Sequence, residues 1–353
     1  MRQVLPSMIL SIVIPILNEV DQLPQLFGTL AEQAGIAFEV ILIDGGSADG
    51  SLERAEELAG RASFPCRVGS GPRGRGRQLN EGVKLSTGKS LLFLHADSQF
   101  GDDMALAKAL KCLEKSIEKV GHSRLAGHFS VRFRSESLTP SLGFYFLESK
   151  ACLGRPGCIH GDQGYLLRRS FFDQIGPFDE TLGFLEDNRL AQAVRQAGGW
   201  LLLPVILQTS SRRFAREGFR QRQALNALIM NLEAIGRIDL LKSLPGIYRQ
   251  QKRTQELQLL PFFQELDMRL SRQSRAERFL FWYHTGHYLV DNAWQLAFWW
   301  DVRRDFRRGL EPGVGRSPLL NFFDCYLFRM IDHSVGYWFA GLLAWGWFRW
   351  KLL

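Results

Sequence analysis

The stretch Ser90-Leu-Leu-Phe-Leu-His-Ala-Asp97 decides how this chain folds. Apolar residues fill five of the six positions from Leu91 to Ala96, interrupted only by His95. A short unbroken run of this kind reads as a strand buried on both faces, as in a parallel sheet covered by helices. The chain turns small and polar at Ser98–Asp103, so Asp97 is expected at the carboxyl end of the strand. Open α/β sheets bind ligands at that rim. A carboxylate there can hold a divalent cation against a phosphate.

Working outward, residues 9–16 (ILSIVIPI) and 38–43 (FEVILI) read as two more strands, and 66–68 as a short one. Helical spacing over 22–35, 51–62 and 78–86 separates them. Strand and helix alternating at this interval imply right-handed βαβ units and a parallel sheet. Pro15, Asn18 and Glu19 follow the first strand, Asp44 the second, and Asp97 the strand at Leu91. Carboxylates at three neighbouring strand ends suit a sugar nucleotide and its metal. Further on, 104–120 reads as a helix, 125–134 as an antiparallel strand, and 165–167 and 200–205 as strands around a helix at 187–197. Residues 209–222 read as a basic connection, 219–241 as a helix, and 242–275 as a Gln-rich linker with helical content.

Composition limits the alternatives. Apolar residues make up 46% of the 353 and charged residues 23%, which suits a packed core. Five cysteines without paired metal spacing fit a reduced, cytoplasmic compartment, and no secretion signal is read at the start. Residues 1–211 carry 22 Lys+Arg against 23 Asp+Glu, whereas 212–353 carry 22 against 13. Eight of nine tryptophans also follow residue 281. Basic residues mixed with Trp and Phe suit anionic lipid headgroups, and no nucleic-acid recognition motif accompanies them. The longest stretch there without a charge, Ser334–Phe348, has 15 residues, short of the ~20 that span a bilayer. In-plane or hairpin association at a membrane is therefore expected. The alternative is a helical bundle that buries these aromatics against the catalytic domain or in a homodimer.

Residues 69–74 (GSGPRG) match the glycine pattern of dinucleotide sites, but Pro72 falls inside the turn and no ribose-binding acid follows at the required distance. Another set of motifs is more telling: SIVIPILNE (11–19), VILIDGGSADGS (40–51), RGRGRQLNEG (73–82), LLFLHADS (91–98), HGDQGYLLRR (160–169) and IGPFDETLGFLEDNRLAQAVRQAGG (175–199). In these the chain resembles the family 2 glycosyltransferases of GT-A fold over roughly residues 8–250. Within that family it is similar to a bacterial subgroup assigned to arsenosugar biosynthesis. The resemblance implies a Rossmann-like α/β domain, a mostly parallel sheet flanked by helices, at 1–240. A helical linker at 241–278 and an α-helical, aromatic-rich region at 279–353 would follow it.

The same resemblance implies roles. Pro15, Asn18 and Glu19 would line the nucleoside pocket, with Asp44 on the base or ribose. Asp97 matches the last acid of a metal-binding Asp-x-Asp motif whose first position here is His95, so one carboxylate serves Mg²⁺ or Mn²⁺. Glu186 and Asp187 match the family's Glu-Asp pair, with Asp187 as catalytic base. Displacing a nucleoside diphosphate requires deprotonation of the acceptor and neutralisation of the leaving charge; a carboxylate serves the first need, metal and arginine the second. Arg73, Arg75 and Arg77 alternate with glycines in a loop able to approach phosphate, with Asn80 near the donor. Asp162 and Gln163 would lie near the acceptor or the transferred sugar, and Arg213 or Arg216 over the diphosphate. The Gln-x-x-Arg-Trp motif of processive relatives is absent, which argues against polymer synthesis. Expected is inverting transfer from a nucleotide sugar, a UDP-sugar, to a small or lipid-linked hydroxyl acceptor. It would take place in the cytoplasm or at the inner face of the cytoplasmic membrane. A non-catalytic binding or scaffold protein is the rival reading; a nucleotidyltransferase would show a Gly-rich, Lys-bearing loop where LNEVDQ (17–22) stands. His284, His287 and Asp291 share a helical face, which packing or a metal would explain.

Overall fold

A computed structural model describes residues 9–134, 141–251 and 256–352. Contacts divide the chain into two compact units, residues 1–138 with 147–210 and residues 139–146 with 211–353, a division earlier than the boundary expected at 240.

The first unit is built on eight strands: β1 (Leu10–Ile16), β2 (Phe38–Asp44), β3 (Cys66–Ser70), β4 (Ser90–Phe93), β5 (Gln99–Phe100), β6 (Leu125–Arg134), β7 (Tyr165–Arg168) and β8 (Gly199–Ser210). They form one sheet in the order β3-β2-β1-β4-β7-β6-β8-β5. The pairs among β3, β2, β1 and β4 are parallel, as is β6 with β8, whereas β7 runs antiparallel to both β4 and β6. The expected antiparallel character of 125–134 therefore holds on one edge of β6 only. Helices α1 (Leu23–Ala31), α2 (Ser51–Arg61), α3 (Arg75–Leu85), α4 (Ala105–Val120), the latter half of α5 (Leu142–Ala151), α6 (Arg169–Ile175) and α7 (Glu186–Ala197) accompany the strands.

Alternation along β1 sorts its side chains to two cores. Ile12 and Ile14 join Leu26, Leu30, Leu106 and Leu113 on one face. Val13 joins Leu91, Phe93, Phe171 and Val194 on the other. Each such fully buried aliphatic stabilises the fold by about 1.5–3 kcal/mol relative to exposure. The decisive strand is shorter than expected. β4 ends at Phe93, paired with Tyr165, because Gly164 beside it turns with φ +60° and takes the neighbouring chain out of register. Leu94 still donates to the Val13 carbonyl at 3.2 Å, and Leu94–Asp97 leaves the sheet as an extension with Leu94 and Ala96 buried and His95 and Asp97 half-buried. In contrast, β8 runs on to Ser210 because β6 supplies partners up to Arg134.

The second unit is helical: α8 (Arg212–Glu217), α9 (Phe219–Ala234), α10 (Ile238–Leu241), α11 (Leu244–Gln250), α12 (Leu260–Ser271), α13 (Arg275–Asp291), α14 (Trp294–Arg307), α15 (Pro318–Phe322), a π turn at Phe323–Leu327, α16 (Phe328–Ile331) and α17 (Ser334–Leu352). The single helix expected over 219–241 breaks at Gly236, whose φ of +73° ends α9. Ser274 and Glu277 form a reciprocal cap at the start of α13, worth about 1 kcal/mol. The backbones of α13 and α17 touch: a Cβ on Gly286 would lie 1.8 Å from the Tyr337 carbonyl, and one on Gly341 2.2 Å from that of Trp282. Buried Asp301 on α14 accepts from the Leu320 N–H at 2.9 Å and ties α15 to it. Among the described residues no helix is long and apolar enough to cross a membrane.

Candidate active site

The loops after β1 and β2 are bound to each other. Asn18, at φ +56°, donates its N–H to Ser47 Oγ at 2.9 Å and accepts from the Ala48 N–H at 2.9 Å. The Glu19 N–H donates to Ser51 Oγ at 2.8 Å. The buried Asp44 carboxylate accepts from the N–H groups of Gly46 and Ser47 at 2.8 and 3.0 Å, so it shapes the turn that follows it. Gln78, buried on α3, donates one amide nitrogen to the Ile16 and Ile43 carbonyls at 2.8 and 2.7 Å and fixes the spacing of the two strand ends. Pro15 lies within β1 opposite Ile43.

A second group of residues gathers around Glu186 and Asp187 at the start of α7. Arg75, the first residue of α3, donates to the buried Glu186 at 2.9 Å. Burial works against the Arg75 charge, but Glu186, Asp187 and Asp97 outweigh it. Gly76 permits this approach, since a Cβ there would lie 2.6 Å from the Asp179 carbonyl and 3.3 Å from Glu186. Burial raises the Glu186 carboxyl above its usual range despite Arg75. Burial also acts on Asp187, but there Arg75, His160, the Gly161 N–H and His95 together win and hold it below the usual range. The Gly161 N–H donates to Asp187 Oδ2 at 2.8 Å. The two adjacent carboxyls are thereby driven apart, one toward its proton and one away from it.

Asp162 faces the same charges. Burial, with Asp187 and Asp97 nearby, raises its carboxyl, and its buried Oδ1 has no hydrogen-bond partner among the described residues. Asp97 accepts from the Ser210 N–H at 3.3 Å and the Thr209 hydroxyl at 3.4 Å through the same oxygen. These long contacts leave it open to a stronger partner. Arg75, Asp97, Asp162, Glu186 and Asp187 thus share one electrostatic neighbourhood, together with His95 and His160.

Other expected residues lie elsewhere. Asn80 is buried and exchanges hydrogen bonds with the Phe178 backbone, both at 2.9 Å. Gln163 is buried, 2.8 Å from His128 Nδ1 and donating to the Cys158 carbonyl at 2.6 Å. Both amides hold the framework. Arg77 lies 3.9 Å from Glu180 on the surface, Arg73 is exposed, and Arg213 belongs to α8 in the second unit. Three contributors escaped the sequence reading. Arg134 donates to the Asp97 carbonyl at 2.8 Å, and the buried Tyr165 hydroxyl donates to the Asp187 carbonyl at 3.4 Å. Leu185 adopts φ +69° directly before the carboxylate pair, a strain of about 1–3 kcal/mol for a bulky residue. No sequence signal marks that conformation.

The donor set suits a hard divalent cation: carboxylate oxygens in excess of their cationic neighbours, with two buried oxygens, Asp162 Oδ1 and Glu186 Oε2, that have no hydrogen-bond partner among the described residues. Among the described residues, however, the trio whose ligand atoms all fall within 4.8 Å is His287, Asp291 and Asp332 in the second unit. A cation at the first site would complete its shell from donor oxygens.

Residues 11–176 match the family model described as Glycosyl transferase family 2. The PGL/p-HBAD biosynthesis glycosyltransferase of Mycobacterium bovis is 36% identical over 99 residues, 28% of this chain and 39% of that protein. The uncharacterized glycosyltransferase YibD of Escherichia coli is 28% identical over 109 residues, 31% of this chain and 32% of that one. This chain thus spans about two fifths or less of the length of these curated relatives. Among solved structures, mannosyltransferase PcManGT from Pyrobaculum calidifontis with GDP-Man and Mn²⁺ superposes with a TM-score of 0.48 at 14% identity, covering 95% of this chain and 86% of that one. S. aureus TarS 1–349 with UDP gives 0.45 at 17%, covering 95% and 90%.

Proposed function

We propose that the first unit moves a sugar from a nucleotide sugar, a UDP-sugar, to a hydroxyl acceptor by single displacement with inversion. The observation that carries this reading is the opposite tuning of Glu186 and Asp187 beside Arg75. A general base must be ionised at working pH and within reach of the proton it takes. Asp187, held below its ordinary range, meets the first condition, and Glu186 paired with Arg75 positions it. Asp97, with Asp162 behind it, would hold Mg²⁺ or Mn²⁺. Bound there, the cation supplies charge neutralisation for the departing diphosphate. Asn18, Glu19 and Asp44 would bind the nucleoside, and Arg73 and Arg75 the phosphates.

The acceptor is a small or lipid-linked hydroxyl compound, and the work is done in the cytoplasm or at the inner face of its membrane. An arsenosugar pathway is a narrower form of the same proposal, supported by the Arg-Gly-Arg, His-Ala-Asp and Gly-Asp-Gln motifs. The test is release of nucleoside diphosphate from a panel of nucleotide sugars, with and without Mn²⁺. Asp187→Asn is expected to lower turnover by about 10²–10⁴-fold with donor binding retained. Asp97→Ala is expected to remove the metal dependence, and an Asp187→Asn rate equal to wild type would overturn the assignment. Donor binding with no turnover under any acceptor would leave the binding-protein reading in its place.

A further inference from the structure

The second unit carries a cleft of about 340 Å³ between α12, α13 and α17, lined by Ser271, Arg278, Trp282, Trp345, Phe348 and Arg349, with Asp267 at its edge. Arg349 pairs with Asp267 at 3.4 Å, while Arg278 is exposed with no ion-pair partner among the described residues. Helices α13 and α17 run antiparallel, with His287 against Tyr337 at one end and Trp282 against Phe348 toward the other. The start of α13 (Arg275, Arg278) and the end of α17 (Arg349, Lys351) therefore gather cations at the end that holds the cleft.

From this cleft an apolar stripe continues along α17. Trp338, Leu342 and Trp345 precede Arg349 at helical spacing, and all are exposed. Around them Val335 (69% exposed), Phe339 (60%), Leu343 (59%) and Trp350 (64%) widen the arc, with no charge from Ser334 to Phe348. In water an apolar surface of this extent marks a docking site. The uncharged segment is about 22 Å long at 1.5 Å per residue, too short to cross ~30 Å of hydrocarbon. Exposed tryptophans suit the headgroup level of a bilayer, and terminal arginines reach back to it.

We propose that this cleft binds the phosphate of an anionic membrane lipid through Arg278 and Arg349 while the exposed arc of α17 lies in the bilayer interface. Charge complementarity selects this occupant. Exposed Arg278 beside Arg349 fits an anionic group, and a lipid bears phosphate and acyl chain in the order that cleft and arc require. The proposal rests on the transferase reading only in giving a lipid-borne acceptor a reason to be near.

The experiment is co-sedimentation of the full chain with phosphatidylcholine vesicles, alone or containing phosphatidylglycerol, alongside donor turnover. Binding is expected to be about tenfold tighter with phosphatidylglycerol and to fall with salt. Arg278→Glu with Arg349→Glu is expected to abolish that preference, and Phe339→Glu with Leu343→Glu to abolish binding to both vesicles, with thermal melting unchanged. Equal binding by these variants would overturn the proposal. So would displacement of the protein from vesicles by millimolar inorganic phosphate alone, or a dimer in sedimentation velocity that Phe339→Glu dissolves without any vesicle binding. Turnover without vesicle binding refutes the docking and spares the transferase reading; vesicle binding without turnover on any donor does the reverse.

Discussion

The two units treat apolar side chains in opposite ways. Among the described residues, six large hydrophobics are exposed in the first unit and twenty-two in the second. The sheet strands of the first unit bury Ile12, Ile14, Leu42 and Leu92 completely and concentrate charge at one rim, around Asp97, Asp162 and Asp187. The second unit buries polar residues, such as Asp301 and Asp305 on α14, and leaves Trp338, Phe339 and Leu343 outside. A chain that can pack one core so completely does not expose the other face for want of apolar residues. What differs is the surroundings each surface is built for.

Substitutions of one kind in both units would break or sharpen this contrast. Ile14→Ala is expected to cost about 2–5 kcal/mol in denaturant unfolding, because the cavity lies between α1 and the sheet where neither can collapse. Gly76→Ala should cost about 1–3 kcal/mol, since the added methyl meets the Asp179 carbonyl, and should lower turnover as α3 carries Arg75 away from Glu186. Glu39 tests the polar end of the same sheet. Burial favours its protonated form, but hydrogen bonds from Thr87 and Ser11, with Arg67 nearby, outweigh burial and lower its pKa. A depressed folded pKa gives stability that is present above the ordinary value of 4.5 and lost as pH falls below it. Glu39→Gln should therefore flatten the acid limb of a stability-against-pH curve, and an unchanged limb would contradict the assignment. Leu343→Ala has the smallest expected effect, within about 0.5 kcal/mol in water. A cost like that of Ile14→Ala would mean that the arc of α17 is packed in solution and the contrast is false.

How much of this was legible follows the range of the forces involved. Strands β1, β2 and β4 and the acids beyond them are local patterns, and apolar runs ending in Asp44 or Asp97 state them directly. The length of β4 was not local: it depends on Gly164, some seventy residues away, turning out of the partner strand. Asn80 and Gln163 were placed near donor and acceptor by the resemblance alone, and only the fold reveals that their amides bond the Phe178 and Cys158 backbone. Arg134 lies in an alternating strand that gives no sign of Asp97 as its partner. Leu185 is the extreme case, an ordinary residue type in an uncommon conformation. In the second unit, aromatic content was plain, but which side chains face outward depends on Gly286 and Gly341 bringing α13 and α17 into backbone contact.

The joined loops after β1 and β2 carry a further consequence. Asn18, Ser47, Ala48, Glu19 and Ser51 already hold one another, and Asp44 has closed its own turn. A ligand arriving at this rim meets a finished surface, so little chain entropy is lost on contact. Calorimetry of nucleoside binding there should accordingly register a heat-capacity change no larger than the ligand's own buried area explains, and association should proceed in a single kinetic phase.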